Sequence, residues 1–69
     1  MRDNFLGKKL KELRIEKGIS QQKFGEIFSV SNQTVSTWET GIHEPDLDTL
    51  IAIAKYYELP VGCLLGLED

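Results

Sequence analysis

A chain of 69 residues, 41% of them hydrophobic, with no apolar run near the ~18 residues a membrane helix needs, is predicted to form one small soluble domain. Its single cysteine, Cys63, excludes an internal disulfide or a multi-cysteine zinc site, and the charge-interrupted start MRDNFLGKKLKEL lacks the apolar core of a signal peptide, so a cytoplasmic protein is expected. The net charge of −3 argues against a nonspecific nucleic-acid coat but hides an asymmetry: residues 1–23 hold seven basic and three acidic side chains, and residues 24–69 hold one lysine and eight acids, which would turn the basic end toward a polyanion.

The first predicted helix starts near Asp3 or Asn4 and runs to Lys17, with Leu6, Leu10 and Leu13 at i, i+4 and i+7. Gly18 stops it as a left-handed residue with apolar Ile19 behind it. The same Gly-apolar signature recurs at Gly41-Ile42 and Gly66-Leu67, whereas Ser29-Val30 and Glu58-Leu59 occupy the matching slots without glycine and are expected to hold positive φ. Ser20 caps the second helix, in which Phe24, Ile27 and Phe28 share one buried face. Ser31 caps the third, Asn32 to Thr40. There Val35 and Trp38 form a narrow inward stripe, and Gln33, Ser36, Thr37 and Thr40 lie opposite, with Asn32 at the exposed tip.

That outward face is all amide and hydroxyl. Such a face is most often merely solvated; the functional reading is that Asn and Gln can pair two-pronged with adenine in a major groove, and Ser or Thr can meet base or phosphate. The i+3 spacing from Val35 puts Trp38 in the core, not on a base. Pro45 and Asp46 open the fourth helix, whose buried stripe is expected to comprise Leu47, Leu50, Ile51, Ile53, Ala54 and Tyr57. A short apolar element from Pro60 to Leu65 closes the chain and could pack on the first helix or on a second copy. With one histidine, His43, and scattered carboxylates there is no nucleophile beside a base, no phosphate-cradling glycine loop and no ligand cluster, so no catalytic residue, metal, cofactor or small-molecule ligand is expected.

Taken together, a leading amphipathic helix, Ser-Gln at Ser20-Gln21, the run Val-Ser-x-x-Thr-Val-Ser from Val30, Trp-Glu-x-Gly from Trp38 and a proline-opened fourth helix make Leu10 to Leu59 resemble the phage repressor and Cro family of helix-turn-helix regulators. The resemblance implies an all-α, compact five-helix, lambda-repressor-like domain over residues 1–69, with its helix-turn-helix core at residues 20–41. It implies sequence-specific binding of double-stranded DNA, with Asn32, Gln33, Ser36 and Thr37 reading bases, and Gln21, Ser31, Thr40 and Lys9 on phosphates. It further implies a structural ion pair between Arg14 and Glu39, and a homodimer on a two-fold symmetric operator. Gly25 departs from the family, which usually has Ala there, and Pro60 and Gly62 replace the usual Ser cap and Asp. The net negative charge leaves an alternative: an antitoxin-like or anti-repressor adaptor that uses this fold to bind protein.

Overall fold

A helix end leaves free backbone groups, which a capping side chain or a left-handed residue can satisfy. The computed structural model describes residues 4–67; within them lie α1 (Phe5–Lys17), α2 (Gln21–Ile27), α3 (Asn32–Thr40), α4 (Leu47–Tyr57) and α5 (Val61–Leu65), and no strand. Ser20, Ser31 and Asp46 adopt extended backbone and accept hydrogen bonds from the backbone N–H groups of Lys23, Thr34 and Thr49, so the three expected caps form. Before α1, Asn4 is left-handed at φ 54° and makes no side-chain cap; Asp3 lies outside the described residues. Pro60 opens α5 without a side-chain cap, its φ of −64° already set by the ring.

The Asp46 carboxyl is held below its ordinary pKa by the Thr49 hydroxyl and then the Thr49 backbone N–H. Its capping stabilisation is therefore complete above the usual carboxylate range and is lost as pH falls through the lowered value. Asp46→Asn should flatten the acid side of a plot of melting temperature against pH; an unchanged acid slope would show that the charge contributes nothing.

At the C-terminal ends, Gly18, Ser29, Gly41, Glu58 and Gly66 all have positive φ, between 57° and 86°. The residue behind each non-glycine member closes the expected bond: Val30 N–H donates to the Gly25 carbonyl at 2.8 Å and Leu59 N–H to the Ala54 carbonyl at 2.9 Å. Ser29 and Glu58 thus carry a left-handed strain of about 1 kcal/mol each. Glu58→Gly relieves it, less the extra freedom glycine gives the unfolded chain. A rise of a few degrees in melting temperature is expected, and an unchanged or lowered value would refute the strain.

Every helix contributes one fully buried side chain to a single core. Leu10, Phe24, Val35, Ile53 and Leu64 are all fully buried, and Leu6, Leu13, Trp38, Leu50 and Ala54 complete the core around them. Burying each of the larger side chains stabilises the fold by roughly 1.5–3 kcal/mol. α2 and α3 pack together, α3 lies on α1, and α5 fills the space between α1 and α4. Leu47 is the exception to the α4 stripe, since it is 65% exposed. It shares the phase of Leu50 and Ala54, but it is the first residue of α4, at the end of the helix, and stays largely in solvent. Ile27, Phe28, Ile51 and Tyr57 are only half-buried. Phe28 instead joins an aromatic group on the flank, its ring centroid 4.8 Å from Phe24 and 5.6 Å from Tyr56. Burial, reinforced by the nearby Tyr56, pushes the Tyr57 hydroxyl pKa up to about 12.

Candidate nucleic-acid interface

The third helix is held from beneath by apolar burial and at its far end by polar bonds. Val35 is fully buried and Trp38 is 5% exposed, so the stripe predicted to face inward does so. Between α2 and α3 the backbones come so close that a side chain at Gly25 would collide with the Val30 carbonyl. The glycine that departs from the resembled pattern is thus fitted to the turn beside it.

At the C-terminal end of α3, Glu39 is buried and charged. Arg14 meets it with two bonds, Nε to Oε2 at 2.7 Å and Nη2 to Oε1 at 3.2 Å, while Nη1 donates to the Ile19 carbonyl at 2.9 Å. The hydrogen bond to Glu39 is the main cause that raises the Arg14 pKa above its ordinary value. This forked pair joins α1 to α3. Gln21 joins the same group, its Nε2 donating to Glu39 Oε1 at 3.1 Å, so its side chain turns toward the ion pair and is half-buried.

The main chain of α3 is also gripped by the start of α1 and the residue before it. Asn4 Nδ2 donates to the Glu39 carbonyl at 3.0 Å. At Gly7 a side chain would strike the carbonyl oxygens of Trp38 and Glu39, so only glycine admits this close approach. The role of Asn4 and Gly7 went unrecognised in the sequence. A lone glycine inside a helical pattern was the available signal, since it often marks close backbone contact.

The opposite side of α3 divides into two kinds of group. Asn32 and Gln33 are exposed and Ser36 is half-buried, and none of the three makes a side-chain hydrogen bond with the described residues. The threonine hydroxyls behave differently. Thr37 Oγ1 donates to the Thr34 carbonyl at 2.7 Å, and Thr40 Oγ1 donates to the carbonyls of Ser36 at 3.1 Å and Thr37 at 3.3 Å. This back-bonding is a known habit of threonine inside a helix. Ser31 Oγ accepts from Thr34 N–H at 3.1 Å and lies 3.0 Å from Thr34 Oγ1, so its oxygen is largely engaged in capping. Lys9 lies on α1 with Nζ 3.3 Å from Glu12 Oε1, an exposed contact weak enough to exchange for another anion. His43 is exposed in the loop after α3, and its backbone N–H donates to the Thr37 carbonyl at 3.2 Å.

Three comparisons bear on this geometry. Residues 10–62 match the helix-turn-helix family model. The chain is 34% identical over 64 residues to the HTH-type transcriptional regulator ImmR of Bacillus subtilis, covering 93% of this chain and 50% of ImmR. It is 38% identical over 61 residues to the uncharacterized HTH-type transcriptional regulator YgzD of the same organism, covering 88% of this chain and 92% of YgzD. The chain thus spans about half the length of ImmR and nearly all of YgzD. Among solved structures it is similar to the P22 c2 repressor protein in complex with a synthetic operator, at a TM-score of 0.82 and 28% identity, covering 91% of this chain and 96% of that one.

Proposed function

The chain belongs to the helix-turn-helix family, and from that premise we propose that it is a sequence-specific double-stranded DNA-binding module of a repressor-type transcriptional regulator. One observation carries the reading. The tip of α3 presents Asn32 and Gln33 exposed and with no side-chain hydrogen bond among the described residues, on a helix fixed from behind by Val35, Trp38 and the Arg14–Glu39 pair. Amides left free in this way have their hydrogen-bonding capacity available for base edges, and a rigid support keeps them in place without further ordering. The likeness to a repressor held with its operator supports the same use of this face.

In this reading α3 enters the major groove tip first, and Asn32, Gln33, Ser36 and Thr37 meet the bases. Lys9, Ser31 and Thr40, with the N-terminal turn of α2 at Gln21, hold the phosphates, contacts that position without specifying. The Gln21 side chain braces Glu39, and the N–H groups of the first turn of α2 ahead of Lys23, whose own N–H is capped by Ser20, are the ones offered to phosphate. A reading helix without Arg or Lys favours adenine and thymine over guanine. One copy offers few contacts, so two copies related by a two-fold axis bind half-sites about 34 Å apart. The site of action is the cytoplasm, and the role is binding without a chemical step.

Selection of bound sequences from a random duplex pool tests the proposal, together with titration at low and moderate salt. Recovery of a two-fold symmetric site with steeply salt-dependent affinity is expected. No salt-dependent association with any duplex would favour the protein-binding adaptor. Within the same assay, Lys9→Ala should weaken all sequences alike and reduce the salt slope by about 1. A loss confined to particular sequences would remove Lys9 from the phosphate set.

A further inference from the structure

We infer that Thr37 is a thymine-methyl reader, a specificity determinant that recognises the C5 methyl of a pyrimidine and does not donate a hydrogen bond to a base; the inference rests on the DNA-binding reading above. A hydroxyl has one proton. In Thr37 that proton is directed at the Thr34 carbonyl, at an oxygen-to-oxygen distance of 2.7 Å, the ordinary length of a well-formed bond between a hydroxyl and a carbonyl. What remains for an outside partner is a pair of oxygen lone pairs and the methyl group, on a side chain that is half-buried and still reachable.

Each base pair tests that set differently. Guanine presents two acceptors, N7 and O6, and would find no proton at Thr37. Thymine presents a methyl for apolar contact, and adenine an N6 amino group for which a lone pair is the right partner. Cytosine has a donor but no methyl. The residue therefore selects an A·T pair by shape and apolar contact, and thymine over cytosine specifically through the methyl.

Gln33 strengthens the assignment. It lies four residues earlier on the same helix face, exposed and with no side-chain bond to the described residues, so one turn of α3 places a free amide next to a methyl. The amide suits adenine and the methyl suits thymine, so the two together read neighbouring A·T pairs. Thr40 shares the chemistry less firmly, because its proton is divided between two carbonyls at 3.1 Å and 3.3 Å.

The experiment starts from duplexes selected by the original protein. Each thymine of a half-site is replaced in turn by deoxyuridine, which removes the C5 methyl and leaves every hydrogen-bonding group in place. At one position of the half-site the affinity should fall about fourfold, the value of one buried methyl. Thr37→Ser keeps the hydroxyl and removes the methyl, so it should bind the thymine and uracil versions of that position equally. Thr37→Val keeps methyls and lacks the hydroxyl, and should discriminate thymine from uracil at least as strongly as the original chain. Each ratio is taken within one protein, so any effect of a substitution on folding cancels. If no thymine-to-uracil change matters, or if the ratio survives in Thr37→Ser, the methyl-reading role is overturned while DNA binding stands. If no duplex is selected at all, the DNA-binding reading fails and takes this inference with it.

Discussion

Glu39→Ala is expected to lower the unfolding free energy by about 3–5 kcal/mol, the usual effect of removing one partner of a buried, hydrogen-bonded ion pair. The side chains of Arg14 and Glu39 are only 13% and 5% exposed, so the arginine left behind would have limited access to water in place of its partner. Gln21 would lose its acceptor as well. For a domain of this size each kcal/mol shifts the melting temperature by about 4–8 °C, so the variant should melt tens of degrees lower. Urea unfolding of Glu39→Ala, Arg14→Met and the double variant Arg14→Met/Glu39→Leu distinguishes the cause. The double variant should recover much of the loss, because no uncompensated charge remains. A loss below about 1 kcal/mol in Glu39→Ala would mean that the pair behaves like a surface contact.

The second large effect is on recognition. Gln33→Ala should remove about 1–3 kcal/mol of preference at one base position, the worth of a good bidentate contact, and leave the melting temperature nearly unchanged. The separation of effects follows from structure: Gln33 is exposed and has no side-chain bond within the described residues, so the fold does not lean on it. Binding to a panel of half-sites with single base changes would reveal the flattened position. A uniform loss across the panel would instead assign Gln33 to the phosphates, and with it the division between reading and anchoring residues would fail.

Local rules make the helix ends legible in the sequence. Ser20, Ser31 and Asp46 cap, and Ser29 and Glu58 take positive φ, because each outcome depends on a few neighbouring residues. The inward position of Val35 and Trp38 follows from helical period in the same way. The Arg14–Glu39 pair was legible only through resemblance, since 25 residues separate the partners and no periodicity links them. Leu47 shows where periodicity misleads: phase gives the direction of a side chain along a helix but not how much of it is covered at the helix end. Asn4 and Gly7 were missed because their meaning lies in α3, which the chain reaches only after two turns and another helix. The engaged hydroxyls of Thr37 and Thr40 were missed for a different reason. Composition counts a threonine as a free donor, whereas its rotamer decides whether the proton is available.

The burial of Leu10, Phe24, Val35, Ile53 and Leu64, one from each helix, in a single core limits how this domain can be taken apart. A peptide spanning residues 20–41 would keep its caps and its turn, yet Phe24 and Val35 would have lost the other three fully buried side chains, Leu10, Ile53 and Leu64, and helices of seven and nine residues do not persist alone in water. Transplanting the hairpin into an unrelated scaffold would therefore transfer its letters without its shape. Amide exchange in the intact chain should in turn show the innermost protons of all five helices opening together, as one cooperative event.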